Sequence, residues 1–119
     1  SLPAGATVGY GRTYTAEKPI KTAVLPIGYA DGYKYALSNK ADVLIGGKRC
    51  RVLGSVCMDQ IVVDVSDLAI VANGDIATLI GADGNERITA QELAALAGTI
   101  PYDILTSIGT RVQREYLGN

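Results

Sequence analysis

Two tyrosines beside glycines stand near the start of this sequence and are its best candidates for chemistry. Tyr10 lies between Gly9 and Gly11, and Tyr29 follows Gly28 on the next segment. Glycine lets the backbone adopt conformations that side chains forbid, and it leaves space for a ligand. Because a phenol hydroxyl can donate or accept a proton, this pattern indicates an acid/base tyrosine. The alternative is packing: the chain has seven Tyr but no Phe or Trp, so any single tyrosine can be an amphipathic filler.

The other reactive residues exclude several kinds of catalysis. There is no histidine, so this chain alone cannot build a Ser-His pair, a Cys-His pair or a histidine metal site. Cys50 and Cys57 do not suffice for a four-ligand zinc site without histidine, and we expect no metal. We interpret both cysteines as free thiols, with a disulfide as the open alternative, because most intracellular cysteines are reduced.

Length and composition predict one folded domain. The chain has 119 residues, of which 48% are apolar and 19% charged, and this is enough for a single core. Its net charge of -1 argues against a nucleic-acid partner. No apolar run approaches the ~20 residues that span a bilayer, and no signal segment opens the chain. Because the chain begins at Ser1 rather than Met, we expect a piece of a longer protein.

The pattern along the chain predicts a series of short strands. They are expected at Ile20 to Ile27, Ala41 to Ile45, Lys48 to Leu53, Ser55 to Val65, Ile76 to Ile80 and Thr110 to Leu117. Gly46-Gly47 joins two of these strands as a hairpin. We interpret the basic cluster of Lys48, Arg49 and Arg51 as a solvated strand face.

Two short helices are predicted late in the chain. Thr89 to Glu92 fits a capping box, so one helix is expected near Gln91 to Ala97. Pro101 suits the first turn of a second helix, near Tyr102 to Ile108. The predicted fold class is therefore mainly β: a small antiparallel barrel or sandwich-like domain with two short helices near the C-terminus.

Two further positions combine unusual residues with an element boundary. Met58 is the only methionine and stands between Cys57 and Asp59 at the start of a predicted strand, and Tyr102 lies in the first turn of a predicted helix. Taken singly, each has a packing interpretation, with Met58 as a flexible filler and Tyr102 as a packed aromatic.

Taken together, these segments stand in the order found in one family. The blocks are Val8 to Gly11 with Tyr14-Thr15-Ala16, Pro26 to Gly32, Gly54 to Gln60, Thr99 to Leu105, and Arg111 to Arg114. The chain resembles the C-terminal domain of alanine racemase, a pyridoxal-phosphate enzyme family, over nearly all of its 119 residues. The Gly-Tyr-Ala-Asp-Gly and Cys-Met-Asp-Gln blocks are specific at this spacing, although no single block suffices.

The resemblance implies that residues 1–119 are one domain of a two-domain enzyme. Family members have an N-terminal (β/α)₈ barrel, which holds the cofactor on a lysine, and a β-rich C-terminal domain. They form head-to-tail homodimers in which the C-terminal domain of one subunit covers the barrel mouth of the other, where barrel active sites lie. The resemblance thus implies pyridoxal 5'-phosphate bound mainly by a barrel outside these residues and a small amino-acid substrate. It also implies a cytoplasmic location and a role in bacterial D-alanine supply for peptidoglycan.

The resemblance also assigns roles to four residues. Tyr10 matches the catalytic tyrosine, Tyr29 a tyrosine at the substrate entrance, Met58 the residue whose backbone N–H meets the substrate carboxylate, and Tyr102 a tyrosine that contacts the cofactor phosphate. Racemisation needs a base on each face of Cα, and the implied pair is the barrel lysine and Tyr10, with the cofactor as electron sink. The ordinary tyrosine pKa is ~10, so the pKa must be lowered by positive charge, which the family barrel supplies.

Two departures and three alternatives accompany this interpretation. Gln113 stands where the family usually has Pro, and Asp103 where it usually has Glu; neither touches the implied chemistry. The alternatives are a serine/alanine racemase of an antibiotic-resistance system, sometimes fused to a membrane segment, a stand-alone β-domain used for binding, and a subunit-contact module. We expect these residues alone to be inactive and to hold no cofactor covalently.

Overall fold

A computed structural model describes residues 7–8, 14–15, 19–72 and 74–109. In these ranges the strands are β1 Thr7–Val8, β2 Tyr14–Thr15, β3 Thr22–Leu25, β4 Asp42–Ile45, β5 Lys48–Leu53, β6 Ile61–Asp64, β7 Ala77–Thr78, β8 Gly81–Asp83 and β9 Glu86–Ile88. The helices are α1 Ala90–Ala97 and α2 Pro101–Thr106. The mainly-β fold class with two late helices is confirmed. Tyr10, Arg111 to Arg114 and the predicted strand Thr110 to Leu117 lie outside the described residues.

The main sheet is antiparallel, with the strand order β3-β6-β5-β4-β7, and it curls into a half-barrel. The alternation of side chains along each strand decides which residues face the core, because successive side chains of a strand point to opposite faces of the sheet. In β6, Ile61 and Val63 are buried while Val62 and Asp64 are less so. The core is mostly aliphatic, as the absence of Phe and Trp predicts, with Tyr33 as a buried aromatic residue. Its largest fully buried side chains are Leu37, Leu44, Ile61, Ile88 and Leu93. No helix within the described ranges has the length and apolarity to cross a membrane.

The Gly46-Gly47 hairpin is confirmed. These residues have φ values of 59° and 76°, and positive φ at both central positions is the requirement of the hairpin turn that matches strand twist. The turn pairs Ile45 with Lys48 and sets the register of β4 against β5 along its length. It therefore also decides that Cys50 and Val52 point into the core.

Both helices are confirmed, with changes at their ends. The Thr89 hydroxyl accepts the Glu92 N–H at 3.0 Å and α1 ends at Gly98, which has φ 74°. Only this half of the predicted capping box is supported, because the Glu92 carboxylate binds Arg49 instead. The second helix begins at Pro101, as predicted, and ends at Thr106 rather than Ile108.

Lys48 and Arg51 of the predicted solvated basic face are exposed, whereas Arg49 is only partly exposed and belongs to a network of ion pairs. Its guanidinium binds the Glu92 carboxylate through two nitrogens, at 2.7 and 2.9 Å. It also donates to Glu86 at 3.0 Å and to Asp42 at 3.3 Å. These hydrogen bonds, first that with Glu92, raise the pKa of Arg49. The residue links β5 to α1 and to the β8–β9 hairpin, and its charge is balanced by partly exposed carboxylates of the same chain.

Candidate functional site

Two of the four predicted site residues line one open cleft. Its lining residues are Tyr29, Tyr35, Ser55, Val56, Cys57, Met58, Asp59 and Gln60, and its volume is about 680 Å³. We refer to it as the Tyr29–Met58 cleft. Tyr29 is 50% exposed and Met58 is 54% exposed, so both side chains are available to another molecule.

Two backbone hydrogen bonds bring Tyr29 and Met58 together. The Tyr29 N–H donates to the Cys57 carbonyl and the Ala30 N–H donates to the Met58 carbonyl, both at 2.9 Å. The segments approach so closely at Gly28 that a Cβ there would lie 2.1 Å from the Cys57 oxygen and 2.7 Å from the Met58 oxygen. Gly28 is extended, with φ -156°, so glycine is required here by space and not by backbone strain.

The same bonds orient the Met58 amide. The Cys57 carbonyl and the Met58 N–H belong to one planar trans peptide and point in opposite directions. Since the carbonyl is held by Tyr29, the N–H points away from that segment. Within the described residues the Met58 N–H has no hydrogen-bond partner. An oriented amide donor without a partner suits an oxygen ligand such as a carboxylate.

The turn that carries Tyr29 is fixed at both ends. It is a 3₁₀ turn, Tyr29–Asp31, and the buried Asp31 carboxylate accepts the Gly28 N–H at 3.2 Å. Gly32 follows with φ 101°, and a Cβ at this position would meet the Ser107 carbonyl. Glycine is needed here both for conformation and for the close approach of the chain that follows α2.

Tyr35 forms the other side of the cleft, and the sequence interpretation missed it. Its ring is exposed and its hydroxyl donates to Ser55 Oγ over 3.4 Å, a long bond. The segment is held by Ser38, whose hydroxyl accepts the Val56 N–H at 2.8 Å, and by Asn39, whose side-chain oxygen accepts the Gly54 N–H at 2.7 Å. Tyr35 has Lys and Ala as neighbours and not the glycine that stands beside Tyr10 and Tyr29, so no local pattern marks it.

The cleft has little charge of its own. Among the described residues that line it, Asp59 is the one charged residue and none is a lysine. Lys34, which is near in sequence, is paired with Asp103 instead. Cys57 is a half-buried free thiol whose Sγ–H contacts the Ser55 carbonyl at 3.7 Å. An anionic ligand in this cleft therefore needs positive charge from residues other than the described lining.

Tyr102, the third predicted site residue, lies on α2 and does not line the cleft. It is 73% exposed, and Ile100 and Leu105 beside it are also exposed. Ile104, by contrast, points into the core. The helix thus presents an apolar surface with a phenol in it, and exposed apolar patches of this kind commonly mark interaction sites.

A second cavity, of about 380 Å³, is mainly aliphatic and has few polar groups left for a ligand. Of its lining residues, Asp31 binds Gly28 and Lys34 binds Asp103. Tyr33 also lines it, and its buried hydroxyl has no hydrogen-bond partner in the described ranges. Burial, followed by the charges of Asp42 and Glu92, raises the pKa of Tyr33, so this phenol is a poor proton donor. Its lining consists mainly of aliphatic side chains from the core and its edge.

Tyr10, the predicted catalytic residue, lies outside the described residues, so its position relative to the cleft stays a prediction. Cys50 is a free thiol in the core. The ranges that the structure describes contain no group of three or more His, Cys, Asp and Glu side chains placed to hold a metal ion.

Comparison with known proteins identifies relatives along the whole chain. A family model described as "Alanine racemase, C-terminal domain" matches residues 1–116. The alanine racemase of Thermodesulfovibrio yellowstonii is 47% identical over 116 residues, covering 98% of this chain and 32% of that protein. The chain thus spans about a third of the length of the curated relatives that it matches.

Solved structures agree with this match. Alanine racemase from the D-cycloserine producer Streptomyces lavendulae superposes with a TM-score of 0.91 at 42% identity, covering 99% of this chain and 31% of that one. Alanine racemase from Bartonella henselae, solved with covalently bound pyridoxal phosphate, gives a TM-score of 0.89 at 37% identity, covering 98% of this chain and 32% of that one.

Proposed function

Because this chain belongs to the alanine racemase C-terminal domain family, we propose that it forms the C-terminal domain of a pyridoxal-phosphate-dependent alanine racemase that interconverts L- and D-alanine. The observation that carries the proposal is the family match over residues 1–116. The open Tyr29–Met58 cleft supports it, because an enzyme domain that completes the site of another domain should expose polar and aromatic groups at their junction.

In this proposal the cleft binds the amino-acid substrate. The Met58 N–H donates a hydrogen bond to the substrate carboxylate, and Tyr29 with Tyr35 narrows the entrance to small side chains. Asp59 is the one charged residue among the described residues of the lining, so this part of the cleft repels a carboxylate unless a cation lies opposite. We therefore assign the counter-charge to the barrel domain.

In this proposal the chain contacts the cofactor only at the phosphate group. Tyr102 has an exposed phenol, which can donate a hydrogen bond to a phosphate oxygen. No lysine stands among the part of the cleft lining that the structure describes, and we assign the lysine that anchors the cofactor to the barrel. Pyridoxal phosphate, when bound, supplies an electron sink for the carbanion at Cα. The chain's own contribution is Tyr102 as a phosphate contact and Tyr10 as the acid/base group that moves a proton at one face of Cα.

We further propose that the exposed surface is completed by barrel domains. Tyr29, Met58 and Tyr102 are half to three-quarters exposed, and Ile100 and Leu105 add apolar area near Tyr102. In a head-to-tail homodimer these residues meet the barrel of the same chain or of the second subunit. The enzyme would work in the cytoplasm, supplying D-alanine for peptidoglycan.

The test uses the longest product of the reading frame that contains this chain. We expect it to bind pyridoxal phosphate, to racemise alanine and to act far more slowly on serine. Residues 1–119 alone should racemise neither amino acid and should lose added cofactor on dialysis. A serine preference would favour the resistance-type alternative. A reading frame without a barrel-coding segment, or a full product that binds no cofactor, would refute the enzyme proposal and leave a binding or contact module.

Tyr10→Phe in that product tests the assigned base. Loss of a positioned general acid/base typically costs about 10²–10⁴ in rate. The loss should be unequal in solvent-to-substrate deuterium exchange, because lysine still serves one face of Cα and one alanine enantiomer. A variant with a lower melting temperature but full activity would remove Tyr10 from the mechanism.

A further inference from the structure

The residues that the proposed function assigns to substrate and to cofactor lie on different segments. Tyr29 and Met58 lie at the cleft, whereas Tyr102 lies in the first turn of α2. A reaction at one carbon needs both groups held in a fixed relation, because small displacements are costly in rate. The two segments must therefore be linked by contacts that fix their relative orientation.

One link lies at the C-terminal end of α2. The Gly109 N–H donates to the Asp31 carbonyl at 2.9 Å, and Gly32 packs against the Ser107 carbonyl. At its other end α2 follows closely on α1, and the Thr99 N–H donates to the Ala94 carbonyl at 2.9 Å, so that end is tied to α1 and not to the Tyr29 segment. The buried Ile104 adds apolar packing, but apolar contact is non-directional. None of these contacts ties the first turn of α2 directly to the Tyr29 segment.

A second link reaches the helix near its first turn. Lys34 Nζ lies 3.1 Å from Asp103 Oδ2 and donates to Ser107 Oγ at 2.7 Å. The Asp103 carboxylate also accepts the Thr99 hydroxyl at 2.9 Å. These bonds join the segment after the Tyr29 turn to the residue next to Tyr102, and they involve charged groups, which make the shorter and stronger hydrogen bonds.

Resting on the proposed function, we propose that the Lys34–Asp103 ion pair is a positioning element that couples Tyr102 to the Tyr29–Met58 cleft. With this pair and the Gly109–Asp31 bond, α2 is attached at two points to the segment whose backbone holds Cys57 and Met58. Asp103, at which the chain departs from the usual Glu of the resembled family, thereby acts in the site without touching substrate or cofactor.

Stability alone does not test this idea, because exposed ion pairs contribute little to folding and both side chains are partly exposed. The informative variants of the full reading-frame product are Asp103→Asn, which keeps the shape and removes the charge, and Asp103→Glu, which restores the charge. Arg51→Met is the matched control, because it breaks another partly exposed ion pair, with Asp42 at 2.7 Å, in the main sheet.

Amide hydrogen exchange measures the coupling between α2 and the Tyr29 turn independently of catalytic activity. We expect Asp103→Asn to speed exchange of the Tyr29 and Ala30 amides, Asp103→Glu to restore it, and Arg51→Met to leave it unchanged. We also expect the cofactor dissociation constant of cofactor-free protein and the alanine KM to rise together, by about fivefold or more, in Asp103→Asn only.

Faster exchange confined to residues 99–107, with Tyr29 and Ala30 as in wild type, would overturn the coupling, as would equal effects of Asp103→Asn and Arg51→Met. The coupling and the proposed function are tested by different measurements, so one can be refuted without the other. If wild-type protein neither binds cofactor nor racemises alanine, the proposed function falls, while the exchange result still decides whether the ion pair couples the two segments.

Discussion

Gly28→Ala should separate the Tyr29 turn from the Met58 segment. The new Cβ would lie 2.1 Å from the Cys57 carbonyl oxygen, where ordinary contact begins near 3.4 Å, and 2.7 Å from two atoms of Met58. All three neighbours are backbone atoms, so no side chain can rotate away. The segments must therefore move apart by more than 1 Å, and the two hydrogen bonds at 2.9 Å that join them are lost.

The cost follows from those losses. Two backbone hydrogen bonds contribute about 1 kcal/mol each, and residual crowding in a packed region adds about 1–2 kcal/mol. We expect the free energy of unfolding to fall by about 3–4 kcal/mol. For a chain of this size each kcal/mol lowers Tm by about 4 °C, so circular dichroism melting should show a fall of about 12–16 °C.

Gly74→Ala is the matched control. Gly74 has φ 94° but no atom within 4 Å of an added Cβ, so alanine there bears only the conformational cost of about 1–2 kcal/mol. The functional measurement is the KM for alanine of the full reading-frame product. This KM should rise in Gly28→Ala because the Met58 N–H moves. A Gly28→Ala protein as stable as Gly74→Ala, or one with unchanged KM, would refute this account of the junction.

Two further changes test other parts of the fold. Tyr33→Phe removes a buried hydroxyl that lacks a partner in the described ranges, so urea denaturation should show a gain of about 1 kcal/mol at neutral pH. Burial raises the pKa of Tyr33, so the folded protein keeps this proton above pH ~10, whereas the unfolded chain loses it. The wild-type protein should therefore lose stability as the pH rises past ~10. Tyr33→Phe should lose less stability over the same pH range. An equal alkaline loss in both proteins would contradict this. Arg49→Met breaks a bidentate ion pair with Glu92 and should cost about 1–3 kcal/mol, whereas Arg51→Met should cost about 0–1 kcal/mol; equal melting temperatures would show that the Arg49 network adds no stability.

Local sequence patterns predicted the turns and helix starts that are determined by neighbouring residues. Gly46-Gly47 gives the hairpin, because positive φ at both positions is a property of those two residues. Thr89 and Pro101 mark the starts of the two helices for the same reason, since a cap acts within one turn. The predicted strand Ser55 to Val65 was too long: only Ile61–Asp64 is strand, and the residues before it form the cleft.

Features that depend on distant partners were not predictable from one sequence. Gly28 is required by carbonyls about thirty positions away, and the partners of Arg49 lie up to 43 residues along the chain. Tyr35 enters the cleft only because Ser38 and Asn39 bind the Gly54 to Val56 segment. The roles of Tyr29, Met58 and Tyr102 came from the family resemblance. Their exposure is consistent with those roles, whereas Tyr10 lies outside the described residues.

The way the Tyr29–Met58 cleft is built bears on how its selectivity can be altered. Its two walls are joined by main-chain atoms at Tyr29, Ala30, Cys57 and Met58, so side chains at Tyr29 and Met58 do not hold the walls together. Libraries that vary these side chains together with Tyr35 should therefore yield mostly folded variants, with the oriented Met58 amide retained. Laboratory evolution toward bulkier amino acids can start at these three positions, with Gly28 kept constant.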